Sequence, residues 1–267
     1  MSDLSSSRSN KWLDQFADGD RAVAAALLES VVYVSDTELS ENMLNLIKLR
    51  QQDHGRPIAL YVERELVRDH SLYQSPAAFP RRAVGPPQLP EVGTGKFEIG
   101  SEGIIGNIVT RLTRQNSNDF LAHPTMESLR DAKPSCLIIV TDFIGSGKRI
   151  YDFLTSMQRT PSLVSWVSYH RITIEVVAYT GTTQGLELVR GHALQPLVTI
   201  HTGCPTIHQF TDPERTQYIE LCRAYAPGKP RTPITPLGYG DVGALIAFSH
   251  SAPNNMPLIF HRTSSTW

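Results

Sequence analysis

The chain has 267 residues, 40% hydrophobic and 19% charged, with a formal net charge of −1. That is ordinary for a soluble globular protein of one large domain, or one domain plus an extension, and it leaves no basic field for direct nucleic-acid binding. No apolar run reaches the ~18 residues of a membrane span, the start MSDLSSSRSN lacks a signal-peptide core, and Cys136, Cys204 and Cys222 form no C-x-x-C pair, which fits a reducing cytoplasm better than a disulfide framework.

In chain order, residues 1–10 are Ser-rich and expected to be disordered. Trp12, Leu13 and Phe16 form a small apolar cluster. Asp18 or Asp20 can cap a helix that begins near Arg21 and runs through the helix formers of Ala22–Leu28. Ser35-Asp-Thr-Glu38 has the form of a capping box, and the helix after it carries Leu39, Met43, Leu46 and Ile47 on one face. Residues 1–54 therefore predict a helical extension, with residues 55–267 as the main domain. Covering the main sheet is the ordinary role for such helices, and docking another chain is the alternative.

Pro57–Val62 reads as a strand, followed at once by Glu63, Arg64 and Glu65. Ligands of open α/β sheets bind outside the carboxyl ends of strands, so Glu63 and Arg64 are candidate site residues; a plain surface pair is the alternative. Residues 74–98 hold five prolines and predict irregular structure, a lid or a partner-binding loop. Gly100-Ser-Glu-Gly103 then opens a helix with Ile104, Ile105, Ile108, Val109 and Leu112 along it. A Gly-rich helix start can bind an anion; the simpler role is an N-cap at Ser101.

The centre of the chain is CLIIVTDFIGSGKRIYDFL, residues 136–154. Cys136–Thr141 predicts a buried strand, Asp142–Lys148 a turn, and Arg149 onward a helix with Ile150, Phe153, Leu154 and Met157 on one face. Gly145 and Gly147 let backbone N–H groups approach a phosphate, the helix N-terminus adds donors, Ser146 a hydroxyl, and Lys148 and Arg149 charge. A Walker A loop would need Gly at 142 and Ser or Thr at 149, where the chain has Asp142 and Arg149. A dinucleotide fingerprint would need Gly at 150, where it has Ile150.

A hydrophobic strand, an acid, two spacers, small-small-Gly and a helix resemble the PRPP-binding motif of type I phosphoribosyltransferases. The resemblance makes Asp142 the second of two acids that meet the ribose hydroxyls, and residues Gly145, Ser146, Gly147, Lys148 and Arg149 the 5′-phosphate loop. Thr141 stands at the first acid's place. The resemblance also implies a pyrophosphate loop at Ser101, Glu102 and Gly103, with Mg²⁺ between Glu102 and the pyrophosphate if PRPP is bound. Asp142 and Arg64 are the catalytic candidates.

Downstream, Arg171–Tyr179 predicts a strand, Thr180–Thr183 a polar turn, and Leu186, Leu188 and Val189 a helix, with Leu197–Ile200 a further strand. Strands alternating with helices predict an α/β fold with a parallel sheet flanked by helices. His201, Cys204 and His208 have ligand-like spacing but lack a partner pair, so no metal site is assigned. In the last segment, Val242–Phe248 predicts a strand or short helix, Pro253–Asn255 a turn, and Leu258–Phe260 a final strand.

Together the WLDQF start, the TDFIGSGKRI loop and the GYGDVGALIAFSHSAPNNMPLIFHR ending resemble phosphoribosyltransferase-like proteins of prokaryotic conflict and antiphage systems, some retron- or ATPase-associated. This implies a type I phosphoribosyltransferase-like fold and a pocket for a phosphorylated ribose. It also implies a toxin-like effector or sensor role in defence, held in check by protein partners such as an ATPase or a reverse transcriptase. Two functions stay open: a glycosyltransferase acting at C1′, or a catalytically inactive subunit that senses nucleotide or PRPP or serves assembly.

Overall fold

The computed structural model describes residues 7–66, 69–89, 101–227 and 232–261. In chain order the elements are α1 (Ser7–Leu13), α2 (Arg21–Glu29), β1 (Val32–Val34), α3 (Asp36–His54), β2 (Ile58–Val62) and α4 (Ser101–Gln115). There follow β3 (Phe120–Ala122), α5 (Met126–Ala132), β4 (Cys136–Ile144), α6 (Lys148–Gln158), α7 (Pro161–Ser168), β5 (Thr173–Gly181) and α8 (Thr183–Arg190). The last are β6 (Leu197–Gly203), α9 (Glu214–Tyr225), β7 (Ile234–Thr235), β8 (Gly238–Tyr239) and β9 (Ile246–Phe248). Contacts divide the chain into two compact units: Thr37–Gly203, and Met1–Asp36 with Cys204–Trp267. The boundary read from sequence after residue 54 falls inside the first of these.

The unit spanning Thr37–Gly203 is built on a five-stranded sheet in the order β3-β2-β4-β5-β6, parallel throughout. Helices cover both faces, so β2 is buried along its whole length and reads as a continuous apolar run. On one face Ala59, Tyr61, Leu137, Ile139, Val176 and Ala178 pack with Met126 of α5, Phe153 and Leu154 of α6, Leu163 of α7 and Val189 of α8. The alternate residues of the strands meet α3 and α4. Glu38 and His54 of α3 bond to Tyr179 and Glu175 of β5, and α4 lies against β2, β3 and β4. This is the α/β, type I phosphoribosyltransferase-like architecture that the sequence implied.

The other unit packs Phe16, Leu27, Ile207, Tyr218, Leu221, Cys222, Leu237, Leu245 and Ile259 into its own core. Its β1 pairs in parallel with β9, and Trp12 donates its indole N–H to the Ile259 carbonyl at 3.1 Å.

Several boundaries differ from the sequence reading. Of residues 1–10, where disorder was expected, residues 7–10 are helical, as the start of α1, and residues 1–6 lie outside the described residues. β4 runs to Ile144, so Asp142 belongs to the strand and not to the turn. β5 continues through Thr180 and Gly181, and Thr182 caps α8 by accepting from Gly185 N–H. Leu44, not Leu46, completes the buried face of α3, and Leu188 is exposed. Leu258–Phe260 is a 3₁₀ turn rather than a strand, because Leu258 N–H bonds the Pro236 carbonyl and the chain turns back on itself. Ser101 is the first residue of α4 and not its cap. Of the Pro-rich stretch, residues 74–89 are irregular as expected but anchored, with Ala83 buried and its N–H donating to Ser162 Oγ at 3.0 Å; residues 90–98 lie outside the described residues. No described helix is long and apolar enough to cross a membrane.

Candidate active site

The strand order places a switch point between β2 and β4. From β2 the chain moves outward to β3, returns to β4 on the other side of β2, and continues outward through β5 and β6. Ligand crevices open at the carboxyl ends of strands at such a point. Here those ends carry Glu63 and Arg64 after β2, and Thr141 and Asp142 in β4.

Glu63, Thr141 and Asp142 are all buried, at 4%, 3% and 7% exposure. Val62 pairs with Val140, and Glu63 N–H donates to the Val140 carbonyl at 2.9 Å, so Glu63 stands opposite Thr141. The Thr141 hydroxyl lies 3.4 Å from Glu63 Oε2 and 3.4 Å from Asp142 Oδ1. With one hydrogen to give, it serves one carboxylate at a time.

Arg149, in the first turn of α6, forks onto Glu63: Nε to Oε1 at 2.6 Å and Nη2 to Oε2 at 2.5 Å. Its Nη2 also lies 3.6 Å from Glu102 Oε1, in the first turn of α4. Burial lifts the Glu63 carboxyl above its ordinary range; the guanidinium opposes this, and the Asp142 and Glu102 charges add to the lift. The first turn of α4 and the start of α6 are thus brought together through Glu102 and Arg149. Ser101 and Gly103 stand beside Glu102 in the first turn of α4. Arg64 follows Glu63, half-buried, and its charge reinforces the effect of burial in pushing His123, at the end of β3, down to about 4.

The loop between β4 and α6 is pinned from behind by the start of α8. Thr182 Oγ1 donates to the Gly145 carbonyl at 2.6 Å, and Thr182 N–H to the Ile144 carbonyl at 3.0 Å. Gly147 has φ +76°, and a Cβ there would sit 2.5 Å from the Gly185 carbonyl. A Cβ on Gly185 would sit 2.2 Å from the Gly145 carbonyl. Backbone therefore packs on backbone, which only glycine allows. Lys148 turns away to Asp152, with both carboxylate oxygens at 2.7 Å. The two cations expected beside a phosphate are therefore each paired with a carboxylate.

A second polar cluster sits at the opposite end of the sheet. Arg50 forks onto buried Glu175 at 2.9 and 2.8 Å, and His54 Nε2 lies 2.8 Å from the same carboxylate. Among the described residues, His54, Cys136 and Glu175 form a group close enough to share a metal ion, within 4.8 Å of one another. Arg50 already supplies the cation there, and burial pushes the Cys136 thiol up, so a neutral thiol is favoured. Sequence spacing could not show this cluster, because its members are up to 125 residues apart. Each of the spaced residues His201, Cys204 and His208 has a protein partner. His201 stacks near Tyr179, Cys204 bonds the Pro205 carbonyl, and His208 bonds the Asp241 carbonyl.

A family model described as PRTase-CE matches residues 9–267. The chain belongs to the PRTase-CE family. No curated protein matches the chain, and no solved structure does. Membership makes this PRTase-CE chain phosphoribosyltransferase-like over nearly its whole length, and its five-stranded parallel sheet flanked by helices is consistent with that.

Proposed function

We propose that the crevice at the ends of β2 and β4 binds a phosphorylated ribose, PRPP or a nucleotide, and acts at its C1′ N-glycosidic position. The observation that carries this is buried Asp142 in the last turn of pleat of β4, followed by a loop pinned against α8 that delivers the N-terminus of α6. Asp142 accepts from the ribose hydroxyls. The amides of residues 145–149, with the Ser146 hydroxyl and the free N–H groups of the first turn of α6, hold the 5′-phosphate. Ser101, Glu102 and Gly103 face the pyrophosphate, and Arg64 adds positive charge for the leaving group. The carboxylates of Asp142 and Glu102 are the oxygen donors a hard divalent cation takes, so these residues fit Mg²⁺, which would neutralise pyrophosphate. By resemblance, this activity serves an antiphage effector in the cytoplasm, controlled by a protein partner from the same operon.

A specific observation favours a second reading, a nucleotide- or PRPP-sensing or assembly subunit without turnover. Thr141 replaces an acid, and Lys148 and Arg149 are both engaged by carboxylates. Calorimetric titration with PRPP and Mg²⁺, and then with ribonucleoside 5′-monophosphates, tests the common core of both. Saturable binding that Asp142→Asn abolishes is expected. Binding unchanged in that variant, or none by the wild type, overturns the ribose-phosphate assignment. Turnover of the bound ligand then separates enzyme from sensor.

A further inference from the structure

The acid missing at position 141 has a counterpart on the neighbouring strand. We propose that Glu63 takes its part: Glu63 and Asp142 together accept the ribose hydroxyls, one carboxylate from each side of the switch point. This rests on the ribose-phosphate reading of the crevice and supplies the second acid which that reading lacks.

The register makes the substitution geometric. β2 and β4 are parallel, Val62 faces Val140, and the Glu63 N–H bond to the Val140 carbonyl carries the pairing one residue further. Register partners on adjacent strands sit about 4.8 Å apart, with side chains leaving the same face. A carboxylate on residue 63 therefore reaches the space that one on residue 141 would fill. The Thr141 hydroxyl, 3.4 Å from both Glu63 Oε2 and Asp142 Oδ1, marks that shared space.

Charge explains why Thr141 suits a site that already holds Glu63 and Asp142. An acid at 141 beside Glu63 and Asp142 would crowd three buried carboxylates against one guanidinium, and like charges that close oppose ionisation. Threonine at 141 keeps the count at two. Arg149 occupies one lone pair on each Glu63 oxygen. A carboxylate offers about four such sites, so capacity remains for a ligand hydroxyl. The competing role for Glu63 is to hold Arg149 and nothing more. That role would be indifferent to the hydroxyls of the sugar.

The test follows from this difference. The full chain is titrated with ribose 5-phosphate, 2-deoxyribose 5-phosphate and 3-deoxyribose 5-phosphate, as wild type, Glu63→Gln, Asp142→Asn and the swap Glu63→Gln with Thr141→Asp. Thermal midpoints report folding. The wild type is expected to disfavour each deoxy sugar by about tenfold or more, the size of a hydrogen bond to a charged group. Glu63→Gln should lose that preference at one hydroxyl, Asp142→Asn at the other, and the swap should restore what Glu63→Gln lost. Equal weakening of all three sugars by Glu63→Gln, or retention of both preferences, overturns the assignment while leaving the crevice reading intact. A wild type that binds none of the three overturns both. Should the single variant fail to fold, the swap decides alone, since recovery of discrimination requires an acid at 141 to replace one at 63.

Discussion

Arg149 and Glu63 are joined by two hydrogen bonds, of 2.6 and 2.5 Å, that tie the first turn of α6 to the residue following β2. The partners differ in setting: the Glu63 side chain is 5% exposed and that of Arg149 51%. Water can replace the carboxylate around a half-exposed guanidinium, but cannot replace the guanidinium around a buried carboxylate. Arg149→Ala should therefore destabilise the fold by about 2 kcal/mol, below the full value for a wholly buried pair. Glu63→Gln, which leaves Arg149 able to hydrate, should do less. Urea unfolding of the two variants measures the difference, and equal losses would contradict it.

The same pair sets a pH dependence. The folded Glu63 carboxyl sits above its ordinary value of 4.5. Its contribution is then full below that value and lost as pH rises through the raised one. Arg149→Ala removes the opposing charge, so the loss should move to higher pH. Unfolding midpoints taken between pH 4 and pH 8 check the direction.

Glu175 behaves oppositely. Burial acts to raise it, but the Arg50 and His54 hydrogen bonds prevail and hold it below the usual value. Its contribution is present above the ordinary carboxylate range and lost as pH falls through the folded value. Arg50→Met should destabilise by about 3 kcal/mol at neutral pH, and Glu175→Gln should flatten the acid side of the stability profile. A profile unchanged below pH 5 in Glu175→Gln would show that this carboxylate does not drive acid unfolding.

Gly185 and Gly106 form a contrasting pair. A Cβ at Gly185 meets backbone oxygens at 2.2 and 2.9 Å, whereas one at Gly106, inside α4, meets nothing within 4 Å. Gly185→Ala should destabilise by about 2–3 kcal/mol and displace the 145–147 loop. Gly106→Ala should stabilise by about 0.5–1 kcal/mol through helix propensity. Thermal melts of the two, run side by side, give the signs.

Lys148 and Asp152 are exposed and four residues apart on one helix. Breaking such a pair changes stability by no more than about 0.5 kcal/mol. Asp152→Asn should instead release Lys148 toward the loop and tighten binding of ribose 5-phosphate severalfold, with nucleosides unaffected. Titration with both ligands reads the split.

The central strand, turn and helix were legible because apolar periodicity and glycine spacing are local signals, and the parallel sheet followed from their repetition. What escaped depends on contacts distant in sequence. The extension of β4 past Asp142 is stabilised by pairing with Thr180 and Gly181, residues that read as a polar turn until β5 is laid alongside. The Glu63–Thr141 relationship needs the register of two strands 78 residues apart. The helix at Pro161 carries one local signal, proline at a first helical position, in a segment otherwise without a helix-starting pattern. α9 is polar enough that its buried face, Tyr218, Leu221 and Cys222, emerges only against the core it covers.

The pinning of the β4–α6 loop has a consequence for ion discrimination. Three successive-turn carbonyl oxygens are already committed: those of Ile144 and Gly145 to Thr182, and that of Gly147 to Tyr151 N–H. A cation seeking a carbonyl cage finds each of these acceptors already engaged by a donor, while the N–H groups at the start of α6 have no partner within the helix. The loop is in this sense a rectifier. The Ile144 and Gly145 carbonyls are turned toward α8 and that of Gly147 into α6, while the helix N-terminus beside them presents N–H groups, a setting that favours negative charge over positive.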